Sequence, residues 1–557
     1  MLAAPPLAYH PPRRQPWFRP RRLAWAILLL GLAAPAALTL SRNLPRIGLH
    51  HDVIYPEAAG AQLALWTAQT GRVFPPLQRP PFTPAIYGPL FYLSLAALAR
   101  TRHASLFALL LAGRLASLAA YLGLVAIVIF FNRRRGYAWP ASLAAGLALA
   151  GIPAFSAWIV CARPDLAALF FGILGLWLAD GAAGQASERR ARAAWLGAGA
   201  ACAAAWLLKQ SFVAAPLAIL AWLLWRRRRL AALIFLSVCA LPVAVVLGAL
   251  WLRGEPVLTS LLRLRHALLQ PRLGLSILAG ELRLPGHLLL LGLGGLGWLR
   301  ELRSAGRARP LALPAVYFPL AWTLPVWPIL QSGGGGNYLF EAWTACALLL
   351  PEGLRALAAW GGQIHARLAP DRFRLRPLAA LAGLTLLAAA GCGLFFARLL
   401  KPSYIVRQRG FASLRRLRPL RVFSSDDYLT IHGRRPEFLD PDLAHILALT
   451  GHFSPAPILA RLRRRRYDLL LLGIWHGALP AYRGISYYSR AEIRAIRRHY
   501  LPVCAAYGLS AWRPRGRPAP ITAAALSRTL GRHCRRRPFQ LLPDGRYRWP
   551  PRPAPAR

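Results

Sequence analysis

The chain has 557 residues, of which 56% are hydrophobic, and its formal net charge is +51. Its apolar runs approach or exceed the roughly 17 to 25 residues that cross a bilayer, which excludes a soluble fold. A charge this high would suggest nucleic-acid binding in a soluble protein, but the cations are 68 arginines and only two lysines, Lys209 and Lys401. That bias indicates a GC-rich bacterial genome rather than phosphate recognition, so we expect no nucleic-acid partner.

The predicted elements begin with a basic tail, residues 1–22, followed by a helical region, residues 23–400. The apolar segments predict a polytopic α-helical membrane protein with about eleven transmembrane helices. In chain order the predicted spans are 23–40, 112–131, 139–158, 165–180, 193–208, 211–225, 230–252, 284–299, 311–330, 338–359 and 377–399. We interpret the first span as an uncleaved anchor, because no small-residue cleavage site follows it.

The arginines set the predicted orientation. Basic loops favour the cytoplasmic side of a membrane, and a cytoplasmic tail places every short arginine cluster inside as well. These clusters are 133–135, 189–192, 226–229, 300–309 and 367–376. The short outer turns carry only Arg163 and Lys209 as basic residues. If the apolar piece 87–98 also crossed the membrane, every later arginine cluster would lie on the outer side. We therefore interpret this piece as interfacial or re-entrant.

Three regions are therefore predicted at the outer face: the loop 41–104, the loop 253–283 and the chain from residue 400 onward. The second loop has the pattern of a basic amphipathic helix on the membrane surface. Its basic residues include Arg263, Arg265, His266 and Arg272. Such a helix contacts anionic headgroups or gates a lipid-phosphate ligand.

The last region is not membrane-like, and residues 401–512 predict a small exported α/β domain. Residues 421–424 and 467–474 have strand patterns, and helical patterns occupy 442–450, 456–466 and 489–499. Residues 513–557 are rich in proline and arginine without apolar periodicity, which predicts disorder.

The first outer loop holds the candidate for general-base chemistry. Asp52 lies close to the membrane face, where partial desolvation raises the basicity of a carboxylate; the alternative is a solvated loop carboxylate. His50 and His51 precede it, but adjacent side chains of an extended chain point apart. We therefore predict no tightly bound metal, which leaves room for a weakly bound divalent cation. Glu57 is the next acid.

Charged residues at predicted helix ends are the candidates for binding. Arg114 lies near the outer end of the second span, where a charge needs a partner or an aqueous cavity. Asp165 is a candidate partner, or else it caps the fourth span. Arg163 and Lys209 either snorkel to the interface or bind phosphate. Glu341, inside a span, is either a sugar ligand or a salt-bridge partner.

Several motifs, taken in order, resemble the GT-C glycosyltransferases, in particular bacterial members related to protein O-mannosyltransferases, the lipid A aminoarabinose transferase and the rhizobial lipopolysaccharide sugar transferases. The matching pieces are HHDVIYPEA at 50–58, YGPLFY at 87–92, GR at 113–114, CARPDLAALFF at 161–171, KQSFVAAPLA at 209–218 and GGGGNYLFEAW at 333–343. Together with the topology they span most of residues 23–400.

The resemblance implies a sugar transferred from a polyprenyl-phosphate donor to an acceptor hydroxyl at the outer face of a bacterial inner membrane. The acceptor would be an envelope lipid, a glycan or a protein. Asp52 would be the catalytic carboxylate. Many relatives have a glutamate directly after it, whereas this chain has Val53, which leaves a second catalytic role for Glu57 open.

The same resemblance implies two groups of substrate-binding residues. Arg163, Lys209 and Arg114 would bind the phosphate. Tyr87, Asn337, Tyr338 and Glu341 would line the sugar and acceptor cavity. The terminal domain would recognise the acceptor or serve as a structural cap.

Two other functions remain open on the sequence. A transporter or flippase also places polar groups at helix ends, although transporters usually contain inverted repeats and broken helices. A non-catalytic scaffold would use the outer domain to recruit partners. No P-loop, GxSxG, HExxH or paired CxxC motif occurs, which disfavours nucleotide and zinc chemistry.

Overall fold

A computed structural model describes most of the chain. The described residues are 18–49, 53, 57–79, 82–102, 104–261, 269–306, 310–331, 334–368, 382–383, 385–391, 393, 420–424, 448–449, 451, 453–473, 481–482, 485–486, 488–506, 509–518, 540–544 and 546–548. The predicted residues His50, His51, Asp52, Arg263, Arg265 and His266 lie outside these ranges.

Helices dominate the chain as far as residue 368. They are α1 (Phe18–Asn43), α2 (Glu57–Thr70), α3 (Pro89–Arg102), α4 (Leu106–Arg134), α5 (Trp139–Ala150), α6 (Pro153–Ser156), α7 (Asp165–Ala183), α8 (Glu188–Leu208), α9 (Ala214–Trp225), α10 (Arg229–Leu252), α11 (Val257–Leu261), α12 (Pro271–Leu282), α13 (Pro285–Ser304), α14 (Leu313–Thr323), α15 (Val326–Ile329) and α16 (Phe340–Leu368). Their order follows the predicted spans.

Five helices among the described residues are long and apolar enough to cross a membrane, namely one that includes most of α1, and α4, α7, α8 and α10. A sixth candidate is the pair α12 and α13, which is bent by 87° at their junction. The apolar helices α5, α9 and the α14–α15 segment are shorter. The chain is thus a multi-pass membrane protein, and the number eleven stays a prediction.

Two predicted spans are interrupted by proline. The span 139–158 ends at Ala150, because Pro153 cannot donate a backbone hydrogen bond to a continuing helix and instead opens the short α6. The span 311–330 is divided at Pro325, which separates α14 from α15. Both breaks correct the predicted continuous helices.

One end of the helical bundle is joined by an ionic network. Arg135, after α4, bonds Glu301 of α13 at 2.8 Å. Glu352 of α16 accepts from the Arg300 guanidinium at 2.7 Å and from the Tyr137 hydroxyl at 2.8 Å. The end of α4, the end of α13 and the middle of α16 therefore meet at the predicted cytoplasmic side, as alternating spans require.

The helix α3 contains most of the piece predicted to be interfacial. It has 14 residues, too few for the roughly 20 of a straight span. It packs against α2, where a side chain at Gly60 would meet the Phe91 ring at 3.1 Å. Its interfacial position stays a prediction.

A β-rich region follows the helical bundle. Its strands are β1 (Val422–Ser424), β2 (Leu469–Gly473), β3 (Ala481–Tyr482), β4 (Ile485–Ser486), β5 (Tyr500–Ala506), β6 (Leu509–Pro514), β7 (Gln540–Leu541) and β8 (Tyr547–Arg548). Four of them form one sheet in the order β1-β2-β6-β5. The β1–β2 pair is parallel, and the other pairs in that sheet are antiparallel. Two helices, α17 (Ala456–Arg463) and α18 (Arg490–His499), accompany it.

The two faces of this sheet are buried against different parts of the chain. Leu470 and Leu472 belong to one core with residues of α17 and α18. Leu469 and Leu471 belong to another core with Ala58 of α2 and Leu109 and Leu110 of α4. This period of two is the normal alternation of a strand. The sheet therefore lies against the bundle end at which α2 and α4 begin.

The first outer loop also enters the β-rich region. Leu77 and Phe82 lie in the core formed with α17 and α18, and the Arg461 guanidinium lies 4.8 Å from the centre of the Phe82 ring. The loop and the terminal sheet consequently share one end of the molecule.

The tail predicted to be disordered contains regular structure in part. Strands β7 and β8 form an antiparallel hairpin, and Leu541 is buried in the core with α17 and α18. A single buried leucine in a proline-rich and arginine-rich context gives no periodic signal, which is why the sequence pattern missed it.

Candidate functional site

The centre of the candidate site is Asp165, the first residue of α7. One carboxylate oxygen accepts hydrogen bonds from the Lys209 ammonium and from the Asn337 amide, the latter at 2.7 Å. The Arg163 Nε lies 3.3 Å from the other oxygen. The exposed fractions of the Asp165 and Lys209 side chains are 1% and 2%. Two cations and an amide thus converge on one buried carboxylate.

Each partner is brought there by a local break in helical structure. Lys209 is the extended C-cap of α8, and Pro164 precedes Asp165 at the beginning of α7. Asn337 lies in a short 3-10 turn over Gly336–Leu339. Close packing of α7 and α8 fixes the alignment, since a side chain at Gly175 would lie 2.7 Å from the Cys202 sulfur.

Aromatic rings surround the two cations. The Arg163 guanidinium lies 4.2 Å from the centre of the Trp158 ring and 5.3 Å from that of Tyr87. The Lys209 ammonium lies 5.0 Å from the centre of the Tyr338 ring. Ring faces attract cations electrostatically, so these contacts hold both positive groups in a partly apolar pocket.

A very close backbone contact of the YGPLFY motif with the end of α8 positions Tyr87. Gly88 donates its N–H to the Leu208 carbonyl at 3.0 Å, and a Cβ at Gly88 would overlap the Leu207 carbonyl oxygen at 2.0 Å. Gln210 donates to the Ile86 carbonyl at 3.2 Å. Only glycine permits this approach, which places Tyr87 beside the end of α8.

Several buried polar atoms near Lys209 have no hydrogen-bond partner among the described residues. They are the hydroxyl oxygens of Tyr87 and Ser211 and the carbonyl oxygen of Gln210. Most buried polar groups in native proteins are paired with protein atoms, water or a ligand. These atoms are therefore candidates for hydrogen bonds to water or to a bound polar molecule.

A second buried ion pair lies where the first outer loop begins. Arg114 of α4 binds the Glu57 carboxylate with two nitrogens, at 2.8 and 2.9 Å, and both side chains are fully buried. Arg114 also donates to the carbonyls of Ile47 and Leu49. Glu57 accepts the Val53 N–H at 2.8 Å. The pair therefore fixes the chain on both sides of Asp52.

This geometry revises one expectation from the sequence. Among the described residues, Arg114 forms its ion pair with Glu57, whereas Asp165 contacts Arg163, Lys209 and Asn337. The suggested Arg114–Asp165 pair is wrong. Both residues lie at predicted outer helix ends, and this placement specifies the side of the membrane but not which helices are neighbours in the bundle.

Glu341 lies apart from the phosphate candidates. It is buried in the first turn of α16 and accepts the Ala215 N–H, at the start of α9, at 3.2 Å. A carboxylate is favourable at a helix N-terminus. Among the described contacts Glu341 thus caps α9, and its role as a sugar ligand stays a prediction.

The sequence assigned no role to Trp158, Gln210 or Ser211, although Gln210 and Ser211 belong to the motif at 209–218. Trp158 contacts Arg163, and Gln210 and Ser211 follow Lys209 in the chain. None of the three is an ionisable residue of the kind that marks a candidate site in a sequence. Among the described residues no group of three or more histidine, cysteine, aspartate or glutamate side chains is arranged to hold a metal ion.

No protein-family model matches the sequence, and no curated protein matches it either. Solved structures do match. ArnT from Cupriavidus metallidurans bound to undecaprenyl phosphate superposes with a TM-score of 0.53 at 14% identity, covering 90% of this chain and 98% of ArnT. Its apo state superposes with a TM-score of 0.55 at 14% identity, covering 88% and 98%. This chain has the ArnT fold, which confirms the GT-C resemblance at the level of fold.

A third solved structure, the apo oligosaccharyltransferase from Archaeoglobus fulgidus, has a TM-score of 0.41 at 14% identity and covers 68% of this chain and 57% of its own. A similarity this low carries no weight for fold or function.

Proposed function

We propose that this protein is a glycosyltransferase that moves a sugar from a polyprenyl-phosphate donor to an acceptor hydroxyl at the outer face of a bacterial inner membrane. The observation that carries the proposal is the convergence of Arg163 and Lys209 on Asp165 beside Tyr87. The fold is shared with a protein captured with undecaprenyl phosphate. The acceptor would be an envelope lipid, a glycan or a protein.

In the proposed reaction the two cations bind the donor phosphate. The acceptor oxygen forms a bond to the anomeric carbon while the bond from that carbon to the phosphate oxygen breaks, and the electron pair goes to the phosphate. Cations placed where charge develops stabilise such a transition state. Arg163 offers a planar fork suited to phosphate oxygens, and Lys209 a compact charge.

Asp52 takes the acceptor proton in this proposal. Asp52 itself lies outside the described residues, but its neighbours are anchored: Leu49 by Arg114, and Val53 by Glu57. We assign Glu57 and Arg114 the role of positioning residues, because the guanidinium already bonds the carboxylate and two carbonyls. Tyr87, Asn337 and Tyr338 would contact the sugar or the phosphate.

The mechanism assigns no step to a metal ion, since Arg163 and Lys209 supply the positive charge. Turnover should then persist after dialysis against EDTA. A strict requirement for an added divalent cation would show that a metal shares the phosphate site.

Two experiments test the function. Mass analysis of envelope lipids and glycans from a deletion strain should show the loss of one sugar substituent, and the wild-type gene should restore it. A gene carrying Asp52→Asn should give a protein that inserts and folds but does not restore the sugar. A transporter or a scaffold would tolerate that change. Restoration by Asp52→Asn at wild-type level would contradict the proposed role of Asp52 as base.

A further inference from the structure

A basic groove of about 410 Å³ lies at the opposite end of the bundle from Asp165, between the beginning of α8 and the beginning of α10. Its rim is formed by Arg192, Arg227, Arg228 and Arg229, and its apolar wall includes Trp195 and Ile234. We propose that this basic groove binds the headgroup of an anionic phospholipid, independently of the sugar-transfer site.

The charge of the basic groove is strongly unbalanced. Glu188 is the one carboxylate among its described lining residues, and it already pairs with Arg192 at 2.7 Å. Arg227 and Arg229 have no ion pair among the described residues, and both side chains are exposed. At least two guanidinium groups are thus available to one phosphate.

Helix electrostatics favour an anion at the same place. Helix α10 begins at Arg229, has no acidic residue in its first turn, and its N-cap Arg228 makes no side-chain capping bond. The N-terminus of a helix carries partial positive charge, so arginines there are unfavourable by themselves. A phosphate placed among them would offset that repulsion. It would also accept hydrogen bonds from the first backbone N–H groups of α10, which have no partner within the helix.

The turn between α9 and α10 is held in a shape that exposes these arginines. Arg227 adopts a left-handed backbone conformation with a φ of 57°, which is unfavourable for a residue with a side chain. Arg226 instead folds back over Trp222, with its guanidinium 4.7 Å from the ring centre. Arg227 and Arg228 donate their backbone N–H groups to the Leu224 and Leu223 carbonyls at 2.9 Å, so this conformation closes the end of α9 and leaves both arginine side chains exposed.

The surface next to the basic groove suits acyl chains. Of the five single-helix candidate spans among the described residues, α10 is the least buried, with 11% of its most apolar window buried. Leu230 and Leu233, near the beginning of α10, are 63% and 61% exposed. A phospholipid can therefore place its phosphate among the arginines and its chains along α10. Basic pockets between transmembrane helices bind anionic lipid headgroups in this way.

The test compares two pairs of substitutions with the same change in charge. Arg227→Gln with Arg229→Gln removes cations of the basic groove. Arg189→Gln with Arg190→Gln removes two arginines at the beginning of α8 that do not line it. The full-length protein is titrated with phosphatidylglycerol or phosphatidylcholine in detergent, and the bound lipid is counted by native mass spectrometry.

Wild-type protein should retain phosphatidylglycerol in preference to phosphatidylcholine. Each arginine near an anionic headgroup contributes about 1 kcal/mol, so the groove pair should weaken phosphatidylglycerol binding about thirty-fold. The control pair should bind as wild type does. Equal losses in both pairs would show a general charge effect and overturn the proposal, as would unchanged binding in the groove pair.

A second measurement uses the unmodified chain, so it does not depend on the variants folding. A photoactivatable phosphatidylglycerol should label peptides from residues 188–195 or 227–234. Labelling confined to other segments would overturn the proposal.

Discussion

Lys209 donates to Asp165 across the junction of two antiparallel helices, from the C-cap of α8 to the first residue of α7. A buried ion pair of this kind is not a strong source of stability, because both charges lose their hydration. In the proposed enzyme, this ion pair keeps the charged Lys209 side chain in place within a buried environment before the donor phosphate binds. In the proposed reaction, Lys209 and Arg163 would contact the donor phosphate while Asn337 keeps its hydrogen bond to Asp165.

Removal of the charge from Asp165 should destabilise the fold more than removal of both charges of the pair. Asp165→Asn leaves two buried cations near each other and should lower the free energy of unfolding by about 3 to 5 kcal/mol. Asp165→Asn combined with Lys209→Met should recover part of that loss. Thermal unfolding in detergent measures the stability of the wild type, of each single variant and of the double variant. If the effects of the two substitutions were additive, Asp165 and Lys209 would not be energetically coupled and the prediction would be contradicted.

Glu57→Gln should lower turnover while donor affinity is maintained. The amide cannot balance the Arg114 charge, so the chain around Asp52 should loosen, whereas Arg163 and Lys209 are not altered. Turnover and binding of the lipid phosphate are measured on the same preparation. Weaker donor binding with unchanged turnover would show that Glu57 acts on the phosphate and not on the loop.

Gly88→Ala should strongly reduce activity, because its Cβ would overlap the Leu207 carbonyl oxygen and move Tyr87 away from Arg163. Gly248→Ala in α10 is the matched control, since nothing lies within 4 Å of a Cβ there. We expect at least a ten-fold loss for the first variant, about 1.4 kcal/mol, and none for the second. Wild-type turnover in Gly88→Ala would show that this close contact does not matter.

The terminal sheet should become less stable in acid. Partial burial by itself would raise the pKa of Asp468, but hydrogen bonds from the side chain and backbone of Arg421 outweigh it and hold the pKa below its usual value. The carboxylate therefore stabilises the fold above the unfolded pKa of about 3.9, and this contribution is lost as the pH falls through the lower folded value.

Hydrogen exchange of strands β1 and β2 measures this effect between pH 5 and pH 3. Protection should fall over that interval in the wild-type chain and change less in Asp468→Asn. The same acid dependence in both proteins would assign the loss to other groups.

The sequence predicted the order of the helices, the first two strands of the terminal region and the placement of Arg163 and Lys209 at one end. These features depend on apolar length, strand pattern and arginine distribution, which are local properties of the chain. The sequence could not predict which helix ends become neighbours. The Glu57–Arg114 pair and the Asp165–Asn337 bond join residues far apart in sequence. The contact of Gly88 with Leu207 likewise depends on tertiary packing that no local pattern encodes.

Binding of undecaprenyl phosphate to the purified protein tests the central claim most directly. Lys209→Met removes the ammonium but keeps much of the side-chain length, and Arg102→Gln, at the exposed end of α3, is the control with the same charge change. A charge-assisted contact contributes about 1.5 to 3 kcal/mol, so Lys209→Met should weaken binding roughly 10-fold to 100-fold. Arg102→Gln should bind as wild type does. Unchanged affinity in a folded Lys209→Met protein would contradict the account.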